Sequence, residues 1–366
     1  MLGIEKESGD FLGILKGSFV GSLLGTAVGD SLGLTYEGLT PDRQSKLFRD
    51  IDRQRFLFSH GMVSDDTDHA CFVAQALIES RADPNLFERR LARHLRWWLA
   101  GIPAGIGLAT LRSTMKLCVG VPPNRSGVWS AGNGPAMRSA IIGLYAGDAP
   151  NALCELLHRS TRITHTDPKA EIGALAVAVA AQVAAKADTV DADAFRRAFA
   201  LALDASPLRG GDAASLFSGL FDQAAASAAR SQSTLAFAKS LGLDHGVSGY
   251  VNHTVPAVLQ TWLRHPNDFR AGLLDIIRAG GDTDTTAAIL GALIGARVGV
   301  EGIPKDWLEG IWEWPRSTSW MRRLAAELAS TSGATISYPT WQVPIRNLIF
   351  TTAVLGHAFR RALPPY

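Results

Sequence analysis

The chain has 366 residues, of which 47% are hydrophobic and only 19% charged. That balance excludes a disordered polypeptide and demands a large buried core. Lys and Arg total 36 against 34 Asp and Glu, a net charge of +2, with no basic block of the kind that phosphate-neutralising nucleic-acid binders use.

Met1 to Asp10 carries mixed charge and no cationic start before an apolar run, so no signal peptide is expected. Phe11 to Leu34 is apolar, but Lys16 and Asp30 interrupt it and it is rich in glycine. Ile172 to Ala185 is mostly alanine and too short for a hydrocarbon layer of ~30 Å. Both read as buried helices, and no membrane association is expected. Cys71, Cys118 and Cys154 are scattered, which argues against a disulfide framework or zinc-thiolate site and for a cytoplasmic protein. All three are expected to pack as small apolar groups.

Gly17, Gly21, Gly25, Gly29 and Gly33 recur every four residues along one helical stripe. Glycine costs about 1 kcal/mol per helical position relative to alanine, so such a run implies close approach of a second helix. Phe87, Leu91, Leu95, Trp98 and Leu99 share one helical face, leaving Arg89, Arg90, Arg93 and Arg96 mostly on a solvated one. Further helices are expected near 69–80, 135–146, 151–160, 169–187, 193–204, 211–229, 254–264, 268–279, 284–299 and 320–330. Alternating strand patterns are scarce, so the class is all-α. Residues 118–135, with three prolines and several glycines, read as the main loop region. Ala287, Gly291, Gly295 and Gly299 repeat the small-residue stripe near the other end. After Gly299 the composition shifts to tryptophan, so 11–300 is taken as the main domain and 301–366 as a C-terminal elaboration packed on it.

Acidic clusters flank both stripes. Ser64-Asp65-Asp66-Thr67 precedes one apolar helix, Gly280-Gly281-Asp282-Thr283-Asp284-Thr285 opens another, and Glu37 lies just beyond the first stripe. Helix capping explains one such side chain, or two. Each cluster supplies more oxygens than that. At an extended approach to a helix, Asp282 and Asp284 can converge, as can Ser64, Asp65 and Asp66, and gathered carboxylates repel unless a cation intervenes. An all-oxygen donor set suits Mg²⁺ or Mn²⁺, with Ca²⁺ a lesser fit. Gly132-Asn133-Gly134 can adopt left-handed backbone conformations and point amides at an anion, or be a plain turn. Arg138 reads equally well as a phosphate partner or a solvated helix residue. His165 stands in Thr164-His165-Thr166-Asp167-Pro168, where a structural histidine is the default. No HExxH, P-loop lysine or GxSxG elbow is present.

In chain order, GSLLGTAVGDSLGLTYE at 21–37, SDDT at 64–67, GNGPAMR at 132–138, THTDP at 164–168, GYVNHTVPAVL at 249–259 and GGDTDTTAAILGALIGA at 280–296 resemble the ADP-ribosylglycohydrolase family. The resemblance spans about residues 17–300. It implies a compact all-α bundle around a binuclear Mg²⁺ or Mn²⁺ site that hydrolyses an N- or O-glycosidic bond to ADP-ribose. Carried over by position, Ser64, Asp65, Asp66, Asp282, Asp284 and Thr285 are metal-site residues and Glu37 is the acidic residue near the second metal. Glu37, as a ligand or acid/base group, and Asp66 are the catalytic candidates, and which carboxylate takes the water proton stays open. Ser130, Gly132, Asn133, Gly134 and His165 fall where the family contacts ADP-ribose. This chain has Ser64 where threonine is frequent, and Ala131 where some members place an aromatic residue. The implied partner is an ADP-ribosylated protein or small molecule; the oligomeric state is left open, with a monomer favoured. The alternatives are a catalytically silent ADP-ribose binder on the same fold and a binuclear nucleotide phosphoesterase.

Overall fold

The computed structural model describes residues 2–81, 83–187, 189–330, 333–361 and 363–364, with side chains from Lys16 onward. Of the sequence segments read above, Met1 of the N-terminal stretch, Ala82 and Asp188 of the main domain, and residues 331–332, 362 and 365–366 of the C-terminal part lie outside the described residues. Among the described residues the secondary structure is helical, with isolated backbone bridges and no strand.

The chain opens with α1 (Leu2–Gly33), α2 (Pro41–Leu47), α3 (Asp65–Ser80), α4 (Pro84–Ala100), α5 (Leu108–Cys118) and α6 (Pro123–Ser126). A tight turn at Ala136–Arg138 leads into α7 (Ala140–Ala146), α8 (Pro150–Arg162), α9 (Pro168–Lys186), α10 (Ala192–Asp204), α11 (Asp212–Ala229) and α12 (Thr234–Ser240). There follow α13 (Val251–Arg264), α14 (Phe269–Arg278), α15 (Thr283–Val298), α16 (Lys305–Glu309), α17 (Thr318–Ser330) and α18 (Gln342–Arg361). Thr40, Ser64, Asp83, Asp167, Asp191, Ser233 and Asp268 each accept a first-turn amide at a helix start, each contributing about 1 kcal/mol.

The two small-residue stripes face one another. A Cβ added at Gly21, Gly25 or Gly29 would collide with the carbonyl oxygen of Gly295, Gly291 or Ala287, and one at Gly33 with that of Thr283. Backbone therefore lies on backbone along the crossing of α1 and α15, and Thr283 Oγ1 closes it by donating to Gly33 O at 2.8 Å. Gly17 has nothing near it. The stripe thus works from Gly21 onward, not over all five glycines.

Around this pair α9 forms the central helix, buried along Ala170–Ala181, with α7, α10, α13 and α15 against it. It is long and apolar enough to cross a membrane, and most of it is buried inside this fold. The main hydrophobic core runs without interruption from Phe19 to Leu328. It includes Trp307 and Trp320 of the C-terminal part, and α17 rests on α1 and α3.

One expectation needs correction, and one long helix lies where none was expected. Cys71 and Cys154 are buried, but Cys118 is exposed at the end of α5, because only one face of that amphipathic helix meets the core. α18 had no forecast: Val343, Ile345, Ile349, Thr351, Thr352 and Val354 are β-branched residues of weak helix propensity. Tertiary packing overrides that preference. Arg89, Arg93 and Arg96 are exposed as expected, while Arg90 pairs with Glu79 at 3.5 Å.

Candidate active site

Four chain segments are laced together at one end of the α1–α15 pair. Gly38 N donates to Gly281 O at 2.7 Å and Gly281 N to Leu39 O at 2.9 Å. On the other side, Val247 N donates to Gly280 O at 3.0 Å and Asp282 N to Val247 O at 2.7 Å. Gly280 and Gly281 have φ of +71° and +83°, and a Cβ at Gly281 would strike the Val247 backbone. Only glycine permits this chain path. Asn133 N to Gly249 O at 3.0 Å and Val251 N to Ala131 O at 2.9 Å attach the fourth segment. Glu37, Asp282 and the 132–134 loop thus share one backbone frame.

The 64–67 turn is held by a residue that sequence reasoning passed over. Fully buried Asp30 accepts Ser64 N at 2.9 Å and Thr67 N at 3.1 Å, as well as the Thr67 hydroxyl. A single carboxylate inside the apolar glycine stripe was the available signal. Asp68 points away from the site: it accepts from Trp98 Nε1 at 3.0 Å and forms a buried ion pair with Arg316 at 2.5 Å.

Ser64 caps α3 and donates to Asp66 Oδ2 at 3.1 Å, and Thr285 Oγ1 donates to the same oxygen at 3.2 Å. Those bonds bring the two acidic clusters together at Asp66. Asp282 occupies the cap position of α15 but makes no side-chain cap; it accepts instead from Asn133 Nδ2 at 2.6 Å. The carboxylate therefore serves the site, not the helix. Asp66 Oδ1 and Asp284 Oδ1 are buried and accept no hydrogen bond. Asp65 is half-buried, and Glu37 is exposed.

Charge follows from this crowding. Burial first, and then the Asp30 and Asp65 charges, hold Asp66 well above the usual carboxylate range. Burial and then Glu37 and Asp282 do the same to Asp284, and burial and then Asp30 to Asp65. Glu37 is raised by desolvation and by Asp282, with Arg361 acting in the opposite sense. Asp30 is pushed up to about 7 by burial, against its three donors.

Among the described residues, no three His, Cys, Asp or Glu side chains form a ready-made coordination shell. The chemistry of the donor set nevertheless fits a hard divalent cation: unpartnered oxygens on Asp66 and Asp284, mutually raised carboxyls, and neighbouring hydroxyls on Ser64 and Thr285. Ser64, Asp65, Asp66, Asp282, Asp284 and Thr285 are the residues able to hold one.

The glycine loop differs in detail from expectation. Neither Gly132 nor Gly134 has positive φ. Two of the three amides are used internally, Gly132 N on Ser130 Oγ at 3.3 Å and Asn133 N on Gly249 O. The glycines are needed for a different reason: a Cβ at either position would lie 3.0 Å from the His165 ring. His165 is buried beneath the loop with Nδ1 2.9 Å from Thr164 Oγ1, and burial and Arg138 depress it to about 3, so the ring is neutral. Arg138 is neither a phosphate partner nor solvated. It is fully buried, donating to Ser160 Oγ, Ser160 O and Thr164 Oγ1 and reaching His69 Nδ1 at 3.2 Å. Trp129 stands exposed two residues ahead of Ala131.

The family model described as ADP-ribosylglycohydrolase matches residues 14–336. A protein of Archaeoglobus fulgidus, described only as uncharacterized, is 30% identical over 309 residues, 81% of this chain and 90% of its own. The ADP-ribosyl-[dinitrogen reductase] glycohydrolase of Rhodospirillum rubrum is 39% identical over a local stretch of 61 residues, 17% of this chain and 20% of that protein. A solved structure titled ADP-ribosylglycohydrolase-related protein complex superposes with a TM-score of 0.58 at 25% identity. It covers 87% of this chain and 99% of its own.

Proposed function

The chain belongs to the ADP-ribosylglycohydrolase family, and from that premise we propose that it removes ADP-ribose from a protein side chain or small-molecule acceptor with the aid of two Mg²⁺ or Mn²⁺ ions. The observation that supports this most is the meeting of both acidic clusters at Asp66 while Asn133 ties Asp282 to the loop above His165. A cation-binding end and a nucleotide-facing loop would then be neighbours on one backbone frame. Such cations supply neutralisation of the gathered carboxylates and Lewis-acid activation of water.

The side chains divide the remaining work. Glu37, accessible and held above the usual carboxylate range, is suited to exchange a proton near the bond to the leaving group. Asp66, fixed by Ser64 and Thr285, keeps one oxygen free to orient or receive a proton from the attacking water. Cleavage at the anomeric carbon passes through an oxocarbenium-like transition state, which nearby carboxylates stabilise by charge. The 130–134 loop, supported from beneath by the neutral His165 ring and tied to Asp282 through Asn133, is assigned to the nucleotide end.

Incubation with ADP-ribosylated arginine and serine peptides in the presence of Mg²⁺ or Mn²⁺, with identification of the product, tests the reading. Release of intact ADP-ribose supports it. Binding without turnover, or release of AMP or inorganic phosphate, overturns it.

A further inference from the structure

The last helix, α18, lies wholly beyond residues 14–336 that match the family model, yet it grips the backbone immediately ahead of the 64–67 arm of the site and just ahead of Glu37. Arg346 and Glu313 are buried partners, with Nε to Oε1 at 2.9 Å and Nη2 to Oε2 at 2.6 Å. Together they hold both polar backbone atoms of Val63: Glu313 Oε2 accepts Val63 N at 3.2 Å, and Arg346 Nη2 donates to Val63 O. Val63 directly precedes Ser64-Asp65-Asp66. At the other end of α18, Arg361 Nη2 donates to Leu34 O and Thr35 O, each at 3.3 Å. Those carbonyls belong to the turn that delivers Glu37, and the guanidinium passes so close that a Cβ on Gly38 would lie 3.9 Å from Arg361 Nη1.

The helix is itself tied down between these grips. His357 Nε2 donates to Phe56 O at 2.7 Å while its ring stacks on Phe56 at 5.0 Å. Phe350 closes a small apolar cluster with Leu34, Phe56 and Met62, and Arg43 donates to the Arg361 carbonyl. An exposed arginine needs no such framework. Here a guanidinium is bound to the turn that carries Glu37, with Arg43 as a second cation on the backbone of Arg361 itself.

We propose that α18 is a strap that completes the hydrolytic site from outside the family core, with Arg361 as a positioning residue that fixes the Leu34–Glu37 turn. Arg346, its charge matched by Glu313, holds Val63 ahead of the 64–66 turn. This rests on the glycohydrolase reading for its effect on turnover, but not for its effect on the turn.

Full-length Arg361→Ala and Arg361→Lys separate the two. Loss of the grip should speed hydrogen exchange at the Gly38 and Leu39 amides by about tenfold or more, with the α9 and α15 amides unchanged. Misplacement of Glu37 should lower kcat by about tenfold or more with KM nearly unchanged. The lysine variant, which keeps the charge and one donor, should restore most of both losses. Unchanged exchange at Gly38 and Leu39 in Arg361→Ala would overturn the strap. So would a kcat loss that merely follows a lowered melting temperature, or one that lysine does not relieve. A wild-type protein without turnover would overturn the glycohydrolase reading alone, the exchange data still deciding the positioning role.

Discussion

Asp284→Asn distinguishes a cation centre from a set of helix caps by the sign of its effect. Asp284 is buried at the first turn of α15 and one of its oxygens has no partner. Its carboxyl is raised by burial and by the charges of Glu37, Asp282 and Asp66. Asparagine keeps the shape and removes a charge from that group, so stability in chelator should be equal or higher. A capping residue would behave oppositely and cost about 0.5–2 kcal/mol, with or without metal. In the native protein, a cation at about 100 times its Kd stabilises the folded state by about 2.7 kcal/mol. For 366 residues, an unfolding entropy of about 2 cal/mol/K per residue makes each kcal/mol worth a little over 1 °C, so each bound ion should raise Tm by about 3–4 °C. Melting curves in EDTA and in Mn²⁺ provide the assay. The wild type should rise in Mn²⁺ while Asp284→Asn responds little and loses turnover. A wild type indifferent to Mn²⁺, or a variant that rises just as far, would refute the cation assignment.

Glu37→Gln should lower kcat by about 10²-fold or more, with ADP-ribose affinity by calorimetry nearly unchanged; wild-type turnover would remove Glu37 from the chemistry. Asp30, at about 7 when folded, titrates near pH 4 in the unfolded chain. Between those values the folded protein holds a proton that the unfolded chain has lost, so stability in chelator is full below about pH 4 and falls as pH rises through 7. Asp65, Asp66 and Asp284 are raised in the same direction and should steepen that fall, which urea titrations at several pH values would reveal. Gly25→Val places a side chain against the Gly291 backbone and should cost about 3 kcal/mol or prevent folding. Gly17→Ala, in open space on the same helix, should be neutral or stabilising by up to about 1 kcal/mol in thermal melts.

Regularly spaced small residues, helix-start chemistry and apolar periodicity are local properties, and each was legible before any coordinate. Glycine at every fourth position from Gly17 to Gly33, and small residues at the same interval from Ala287 to Gly299, announced a backbone-on-backbone crossing, which the structure realises from Gly21 onward because larger residues do not tolerate that distance. The excess of oxygens in 64–67 and 282–285 over what caps consume marked the two arms of the site. The structure spends the surplus on Asp66, on Asn133 and on atoms left unpartnered.

What the sequence could not determine are interactions between residues far apart along the chain. Asp30 sits 34 residues before Ser64, and nothing local shows that its carboxylate anchors that turn. The glycines of 132–134 read as left-handed turn formers, whereas their small size matters because the His165 ring packs against them. Arg138 had no local signature separating a phosphate ligand from a surface residue, since its burial depends on where α3 and α8 happen to meet it. α18 is the extreme case. Its β-branched sequence argues weakly against a helix, and only the docked structure shows Arg346 and Arg361 on Val63, Leu34 and Thr35, roughly three hundred residues away. Composition and periodicity govern which elements form and which face they bury. The partner of a buried charge is chosen by the three-dimensional packing, where desolvation penalises every carboxylate or guanidinium that fails to find one.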